Sequence, residues 1–237
     1  MKLTIVVPAY NEAENLPLLI EALNKAIGPL DAAREIIIVN DGSTDNTAEV
    51  LARLRAETPS IRVLEMVKNA GQTAGFDAGF KAATGDVVVT MDADLQNDPT
   101  DIPRLLALIG EYDVVCGIRR KRNDTLVRRV SSKIGNWVRN KITSDNIIDT
   151  GCSLKAFKRD NLHGLALYAG MHRFLPTLMK MRGCKVAQIE VAHHERRFGL
   201  SKYGIANRAW RGLMDCMAVR WMGKRFLRYE LKPEEKK

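Results

Sequence analysis

The sequence predicts an α/β fold in which a mostly parallel β-sheet is flanked by helices. Short runs of β-branched residues alternate with amphipathic segments between residues 3 and 118. Residues with carboxylate or amide groups directly follow several of these runs. With 237 residues, of which 46% are hydrophobic, the chain is long enough to bury a core. Strands that alternate with helices in this way imply right-handed crossovers and parallel pairing.

The predicted elements follow one another in regular order. The predicted strands are 3–8, 35–40, 61–66, 86–91 and 113–118. The predicted helical segments between them are 12–27, 43–57, 71–83 and 100–110. Beyond Arg119 the alternation loosens, because residues 119–141 are strongly basic with apolar residues at partly helical spacing. Further strands are predicted at 150–157 and 184–191, and a loop at 193–204.

Composition narrows the functional classes. The sequence shows neither a signal peptide nor a run of roughly 18 to 20 apolar residues, so we expect a cytoplasmic protein that does not cross a membrane by itself. Its four scattered cysteines form no CxxC pair or Cys/His cluster, which favours reduced thiols over a zinc site. A net charge of +9 indicates an anionic partner: nucleic acid, a phosphorylated small molecule or an acidic membrane surface.

Carboxylates follow three of the predicted strands. Glu12 comes after the first strand, Asp41 after the second, and Asp92 and Asp94 after the fourth. Because ligands of parallel sheets bind beyond the carboxyl ends of the strands, we expect these side chains to share one cleft. Paired carboxylates suit Mg²⁺ or Mn²⁺, and Gln96 offers a further neutral oxygen. The sequence thus predicts a divalent metal that holds the phosphates of a nucleotide.

Each of these residues also has a purely structural interpretation. Asp, Asn and Pro within 92–99 are ordinary turn residues. Glu12 could begin a helix, where a carboxylate favours the macrodipole, and Asp41 could occupy a turn before a helix N-cap. Tyr10 supplies an aromatic face on which a base can stack. The joint placement of these residues at strand ends favours ligand binding.

Four longer segments carry a family resemblance. They are VVPAYNE, VNDGSTDNT, GQTAGFDAGFKAATGDVVVTMDADLQNDP and DTGCSLKAFKR. Together they resemble the inverting family 2 glycosyltransferases of the GT-A fold, and within that family the polyprenyl-phosphate sugar synthases, such as dolichol-phosphate mannose synthase. The resemblance spans roughly residues 3–203. It implies a Rossmann-like sheet without a GxGxxG loop, and sugar transfer from a nucleotide-diphosphate sugar to an undecaprenyl or dolichyl phosphate.

The resemblance also implies a nucleotide-sugar site. Its residues would be Pro8, Tyr10, Glu12, Val39, Asp41, Asp92, Ala93, Asp94, Arg197 and Lys202. Asp92, Ala93 and Asp94 would form the DxD-type element, with Asp94 and Gln96 nearest the metal. Arg197 and Lys202 match a mobile loop that closes over phosphates. The segments DADLQNDP and DTGC look closer to bacterial enzymes, which favours UDP over GDP as the donor nucleotide.

Basic residues in the second half of the chain could bind the acceptor phosphate in such a reaction. A lipid phosphate is already ionised at neutral pH, so it needs no general base, but its repulsion from the donor diphosphate must be overcome. Guanidinium groups suit this task because they stay charged and bind phosphate bidentately. The resemblance places Arg119, Ser132 and either Arg128 or Arg129 at the acceptor phosphate, and we favour Arg129. The predicted catalytic residues are Asp92, Asp94, Arg119 and Arg129.

The C-terminal segment 204–237 is predicted to be an amphipathic helical extension of a catalytic domain that covers 1–203. Apolar residues at i, i+4 spacing, among them Met217 and Trp221, form a stripe, and arginines occupy the other face. Such a helix can lie in a membrane interface as a peripheral anchor or pack on its own domain. A membrane-embedded partner subunit would be another route to a lipid acceptor.

Two other functions are weighed against this one. A family 2 transferase with a soluble or glycan acceptor would share the donor site. A non-catalytic basic protein that binds nucleotides or RNA would use the charges of 119–141. The sequence lacks an aromatic RNA-recognition pattern, so we expect no nucleic-acid partner. The sugar and the oligomeric state are not predicted.

Overall fold

The computed structural model describes residues 1–119, 126–195, 205–227 and 229, and within 126–134 and 205–211 it describes the backbone alone. The strands are β1 (Lys2–Ala9), β2 (Ala33–Asn40), β3 (Ile61–Glu65), β4 (Val87–Thr90), β5 (Val114–Arg119), β6 (Lys155–Lys158) and β7 (Val186–Val191). The α-helices are α1 (Asn15–Ile27), α2 (Thr47–Glu57), α3 (Gln72–Ala82), α4 (Ile102–Leu106), α5 (Leu126–Thr143), α6 (Leu175–Met181) and α7 (Ile205–Arg225). Short 3₁₀ helices cover Pro99–Asp101, Arg159–Leu162 and Met171–Phe174. The predicted α/β fold is confirmed.

The sheet is mostly parallel, as predicted. Its strand order is β3-β2-β1-β4-β6-β5-β7. Parallel pairs join β1 to β2, β1 to β4, β2 to β3 and β5 to β7. β6 runs antiparallel to both of its neighbours, a direction that the sequence does not predict. Because β6 reverses direction between β4 and β5, those two strands end at the same edge of the sheet as β1 and β2.

Two helices begin later than the sequence predicts. The helix predicted from residue 12 begins at Asn15, because the Glu12 carbonyl first accepts hydrogen bonds from the amides of Asn15 and Leu16. The helix predicted from residue 43 begins at Thr47, whose amide donates to Asp45 Oδ1 at 3.0 Å. In both places, polar turn residues occupy the space between the strand end and the helix.

Helices cover both faces of the sheet. Alternate residues of β1 point to opposite sides: Ile5 packs with Leu19 of α1, while Val6 packs with Phe76 of α3. A Cβ atom at Gly79 of α3 would lie 2.2 Å from Val6 Cγ1. Glycine at this position therefore lets α3 approach β1 closely, and α3 begins at the edge where the predicted site residues lie.

The C-terminal segment forms one described helix, α7, which packs on the second half of the chain. Its Cys216 and Val219 are buried together with Met171, Phe174 and Leu178. Other apolar residues that the sequence assigns to one stripe are exposed on α7, including Met214, Met217 and Trp221. The predicted amphipathic helices are thus not confirmed, and the boundary at residue 203 stays a prediction. Among the described residues, no helix has the length and apolarity needed to span a bilayer.

Candidate active site

The carboxyl edge of the sheet collects the predicted site residues. β2, β1 and β4 are neighbours and end at this edge, so Asp41, Tyr10 and Asp92 follow three adjacent strands. Arg119 ends β5 at the same edge, and Lys155 begins the antiparallel β6 there. The sheet therefore gathers acidic and basic side chains from both halves of the chain.

A cavity of about 370 Å³ opens at this edge. From the predicted set, it is lined by Asp92 and Arg119. Its lining also includes residues that the sequence analysis did not single out: Gln72, Thr90, Thr150, Gly151, Ser153, Lys155, His172 and Arg173. The cavity thus places a carboxylate and a guanidinium on one concave surface, which is where a bound anion and a cation could meet.

Asp92 is held in place by a neighbour in the cavity. Gln72 Nε2 donates to Asp92 Oδ1 at 2.5 Å, and the nearby Ser153 hydroxyl favours the ionised form of this carboxyl. Burial, followed by the nearby charge of Asp94, raises the pKa of Asp92 to about 6. A bound cation would favour the ionised form of Asp92 and offset the repulsion between the two carboxylates, so this pair suits a site next to a metal.

Asp94 and Gln96, the predicted metal residues, lie just beyond Asp92. Asp94 is buried, and its Oδ1 accepts a hydrogen bond from the backbone amide of Gln96 at 3.2 Å. Among the described residues, no three His, Cys, Asp or Glu side chains form a metal-binding group. Mg²⁺ commonly takes one or two carboxylates and completes its shell with waters and substrate phosphates. The residues therefore fit a metal that the substrate helps to bind.

Arg119 is fixed by an aspartate that the sequence analysis missed. Arg119 Nε donates to Asp149 Oδ2 at 2.7 Å, and Nη2 donates to Asp149 Oδ1 at 2.8 Å. Burial alone would lower the pKa of Arg119, but the hydrogen bond and charge of Asp149 raise it above its ordinary value. A Cβ atom at Gly151 would lie 2.6 Å from Arg119 Nη2. Asp149 and Gly151 both belong to the DTGC segment, which was the sequence feature that could have pointed to a partner for Arg119.

Asp41 orders the loop between β3 and α3. Its Oδ1 accepts from the Ala70 amide at 2.7 Å, and its Oδ2 accepts from the Gly71 amide at 2.8 Å and from Asn69 Nδ2 at 3.0 Å. Val39 is fully buried in the core beneath it. A role for Asp41 and Val39 at a nucleoside stays a prediction.

The other predicted nucleotide residues surround a smaller cavity or the strand ends. Glu12 lines a separate cavity of about 220 Å³ with Asn15 and Asp45, and its Oε2 accepts from Asn15 Nδ2 at 2.6 Å. Pro8 is paired with Val39 in the parallel register of β1 with β2, and it packs against Gly75 of α3. Ala93 is buried between the two aspartates. The structure brings Glu12 and Asp92 to one edge of the sheet but into different cavities.

Several predicted residues cannot be placed by side chain. Arg197 and Lys202 lie outside the described residues, as does most of the predicted loop. Arg128, Arg129 and Ser132 fall within α5, whose backbone alone is described at these positions. Their roles at phosphate groups stay predictions.

Two cavity residues from the second half were missed because their sequence signals are weak. Lys155 is 3% exposed, and its Nζ donates to the Cys152 carbonyl. β6 has the sequence KAFK and therefore gave no local sign that Lys155 would be buried at the cavity. His172 Nδ1 lies 2.7 Å from Thr73 Oγ1, and burial, then the charges of Arg173 and Lys155, lowers its pKa to about 3. This histidine is therefore neutral near pH 7.

Comparisons with known proteins identify the family of the chain. The model of Glycosyl transferase family 2 matches residues 4–165. An undecaprenyl-phosphate 4-deoxy-4-formamido-L-arabinose transferase of Yersinia enterocolitica is 40% identical over 206 residues, which are 86% of this chain and 63% of that protein. A dodecaprenyl-phosphate galacturonate synthase of Rhizobium johnstonii is 36% identical over 240 residues, covering 98% of this chain and 69% of that protein. The chain thus spans less than two thirds of the length of the Yersinia relative.

A solved structure confirms the predicted GT-A fold. Glucosyl-3-phosphoglycerate synthase of Mycobacterium tuberculosis, in complex with Mg²⁺ and UDP, matches with a TM-score of 0.68 at 18% identity. The match covers 92% of this chain and 79% of that one. Taken with the family model and the two relatives, these findings show that the chain belongs to glycosyl transferase family 2.

Proposed function

We propose that this protein is an inverting glycosyltransferase that moves a sugar from a metal-bound nucleotide-diphosphate sugar to a polyprenyl phosphate. The observation that carries the proposal is the cavity that Asp92 and Arg119 line together. Transfer to a lipid phosphate needs an acidic group near the metal and donor diphosphate, and a cation near the acceptor. The names of the Yersinia and Rhizobium relatives, which both specify a prenyl phosphate, support this acceptor class.

On the donor side, Asp94 and Gln96 would hold the metal, and Asp92 would line the pocket beside it. When bound, Mg²⁺ or Mn²⁺ would stabilise the negative charge that develops on the leaving diphosphate. Tyr10, Glu12 and Asp41 are the proposed contacts of the nucleoside, and the sequence segments favour UDP over GDP. Arg197 and Lys202 would contact the phosphates.

On the acceptor side, Arg119 presents a fixed positive charge to the lipid phosphate. Asp149 accepts from Nε and from one N–H of Nη2, so the N–H groups of Nη1 and the second N–H of Nη2 are the proposed donors to the lipid phosphate. The ionised phosphate oxygen attacks C1 of the sugar, the bond from C1 to the diphosphate oxygen breaks, and the configuration inverts. Arg129 and Ser132 would complete the acceptor site. The low pKa of His172 makes it a weak base, which is compatible with a reaction that uses no general base.

A lipid acceptor places this chemistry at a membrane surface. We propose that the protein is peripheral to the cytoplasmic face, held there by its own C-terminal region or by a membrane-embedded partner subunit. The net charge of +9 supports attraction to an anionic leaflet.

The test is product formation from defined donors and acceptors. UDP-sugars and GDP-sugars are incubated with Mn²⁺ and either undecaprenyl phosphate in detergent or soluble sugar acceptors, and NMR identifies the anomeric configuration of the product. We expect a prenyl-phosphate sugar of inverted configuration, formed only with a divalent metal. Transfer to soluble acceptors with none to the prenyl phosphate would overturn the proposed acceptor, and retention would overturn the single displacement.

A further inference from the structure

A second cavity, remote in sequence from the acidic strand ends, lies where α5, α6 and α7 meet. It has a volume of about 330 Å³. Of the described residues that line it, Lys180, Arg220 and Lys224 are cations and Asp145 is an anion. Asp145 is buried and accepts hydrogen bonds from the Thr177 hydroxyl and the Ile147 amide. The lining thus has an excess of positive charge, and its carboxylate is already engaged by the protein.

The cavity is built by close packing of three helices. Arg220 Nη1 donates to the carbonyl of Ile142 at the end of α5, at 2.8 Å. A Cβ atom at Gly223 of α7 would lie 2.9 Å from the Met181 Cε of α6, so the two helices approach closely there. Arg220 and Lys224 are four residues apart on α7 and therefore share one side of the helix. These contacts hold the cations around a defined space.

Large apolar side chains surround this cationic cavity. On α7, Met217 and Trp221 stand three residues from Arg220 and Lys224 respectively, and they are 49% and 64% exposed. Lys180 and Met181 also line an adjoining open groove that is formed with Phe226, Leu227 and Tyr229. Leu227 and Tyr229 are 79% and 76% exposed. Exposed apolar side chains from α7 and from this groove are therefore neighbours of the cations.

We propose that this corner, defined by Lys180, Arg220, Lys224, Trp221 and Leu227, binds an anionic phospholipid of the membrane surface. The headgroup phosphate would enter the cavity, and the flanking apolar side chains would enter the interfacial region of the bilayer. The chemistry favours a lipid because a free phosphate would use the cations and leave the exposed Trp221 and Leu227 without a role. Basic residues next to tryptophan and leucine are typical of interfacial helices.

This inference rests on the proposed function in one respect: a lipid acceptor implies that the protein works at a membrane. It goes beyond that function because it assigns the membrane contact to a specific corner of the fold. This corner connects to the candidate active site through α6, which begins directly after the 3₁₀ helix that carries His172 and Arg173. Seven residues of α6 separate the two regions, a rise of about 10 Å. Lipid binding here would hold the catalytic cavity near the surface where a lipid acceptor resides.

The experiment is co-sedimentation of the full chain with phosphatidylcholine vesicles that contain or lack phosphatidylglycerol. We expect binding to the anionic vesicles that weakens with salt. In Lys180→Gln/Lys224→Gln, binding should weaken roughly 30-fold, about fivefold for each lysine. The matched control is Lys25→Gln/Arg53→Gln, which removes the same charge from exposed positions on α1 and α2. Equal weakening in both variants would overturn the proposed site, because net charge alone would then explain binding.

A second pair of measurements distinguishes a lipid from free phosphate. Trp221→Ser and Leu227→Ser should each weaken vesicle binding, with unchanged circular dichroism spectra and melting temperatures. Inorganic phosphate should compete poorly. If phosphate binds the cavity while vesicles do not bind, or if the two serine variants bind vesicles normally, the lipid assignment is wrong. The same conclusion follows if an acidic protein, but no vesicle, binds this corner.

These vesicles contain neither prenyl phosphate nor nucleotide sugar, so vesicle binding is independent of catalysis. Sugar transfer is measured separately, with prenyl phosphate in detergent. Absence of transfer by the wild-type protein would overturn the proposed function and leave the vesicle result intact. Normal transfer in detergent by Lys180→Gln/Lys224→Gln, together with weakened vesicle binding, is the result expected for a membrane-binding site outside the catalytic cavity.

Discussion

The two sides of the candidate active site are positioned by different means. On the carboxylate side, Asp92 and Asp94 follow β4, which is paired on both edges, so the strand itself places them. On the arginine side, Arg119 ends β5, but its guanidinium is held by Asp149, a residue 30 positions later in the chain. The strand end and the neutral amide of Gln72 thus position one charge, whereas a second charged side chain fixes the other. The arginine side should therefore depend on partners that do no chemistry themselves.

The largest effect is expected on the carboxylate side. Asp94→Asn keeps the shape of the side chain and the acceptor for the Gln96 amide, but it removes the charge that would hold the metal. We expect kcat to fall about 10³-fold, the scale typical for a lost group that stabilises transition-state charge. Steady-state kinetics with Mn²⁺ measures it, with the melting temperature as the control for folding. Near-normal turnover would show that Asp94 is not a metal ligand.

A smaller effect is expected from the partner of Arg119. Asp149→Asn removes the charge that orients the guanidinium, and a misplaced group can cost roughly 100-fold in rate. We expect the KM for prenyl phosphate to rise or kcat to fall, with unchanged affinity for the donor. Asp149→Glu should recover part of the activity.

The matched control for this variant is Asp113→Asn. Asp113 pairs with Lys158 at 2.9 Å in another ion pair of the sheet. Its loss should lower stability without a selective effect on the acceptor KM. If both variants change donor and acceptor parameters alike, Asp149 has only a structural role.

The pH dependence of stability tests a contact between α3 and the second half of the chain. His172 is hydrogen-bonded to Thr73 of α3. Burial and neighbouring cations lower the pKa of His172 to about 3. The unfolded chain therefore binds more protons than the folded protein between about pH 3 and pH 6.5, so this group's contribution to stability is lost as pH falls through that window. The slope should be below about 1.4 kcal/mol per pH unit.

Urea unfolding at several pH values measures this slope. Subtracting the His172→Gln curve from the wild-type curve should isolate the contribution, because the carboxylates titrate in both proteins. The control is His163→Gln, at an exposed position. An unchanged slope in His172→Gln would show that the histidine is accessible to protons in the folded state.

The smallest effect on activity is expected from the packing beneath the carboxylate side. Gly79→Ala places a methyl group against Val6, and overpacking of this kind costs about 1–3 kcal/mol of unfolding free energy. Each kcal/mol lowers the melting temperature by about 2–4 °C in a protein of this size. Calorimetry measures it, with the open position Gly110→Ala as control. Because α3 also carries Gln72, a modest loss of activity should accompany the destabilisation.

The same contrast explains what the sequence could predict. The five strands before Arg119 appear within two residues of their predicted bounds, because their apolar runs and polar ends are local signals. The carboxylates at those ends were found for the same reason. The direction of β6 depends on a long connection and has no local signal. Lys155 and His172 line the cavity, and Asp149 reaches Arg119, only through tertiary contacts, so their spacing in the sequence did not reveal their proximity.

The tertiary partners also changed the interpretation of residues that were found. Asp41 has the position expected for a nucleoside contact, yet the pattern could not reveal that both of its oxygens order residues 69–71. The apolar spacing in 205–225 predicted a helix, but it could not show which side would be covered by Met171 and Leu178. Such choices depend on which surfaces remain uncovered once the sheet has formed.

The reversed direction of β6 has a consequence for engineering. Residues 120–154 leave the sheet at the end of β5 and return at the start of β6, and these two points lie on adjacent strands at one edge. Closely spaced ends favour exchange of the segment between them, but Asp149, which holds Arg119, and the buried residues Ile147, Cys152 and Leu154 belong to the framework. Grafting a counterpart of α5 from another transferase, with these residues retained, is therefore a route to new acceptors.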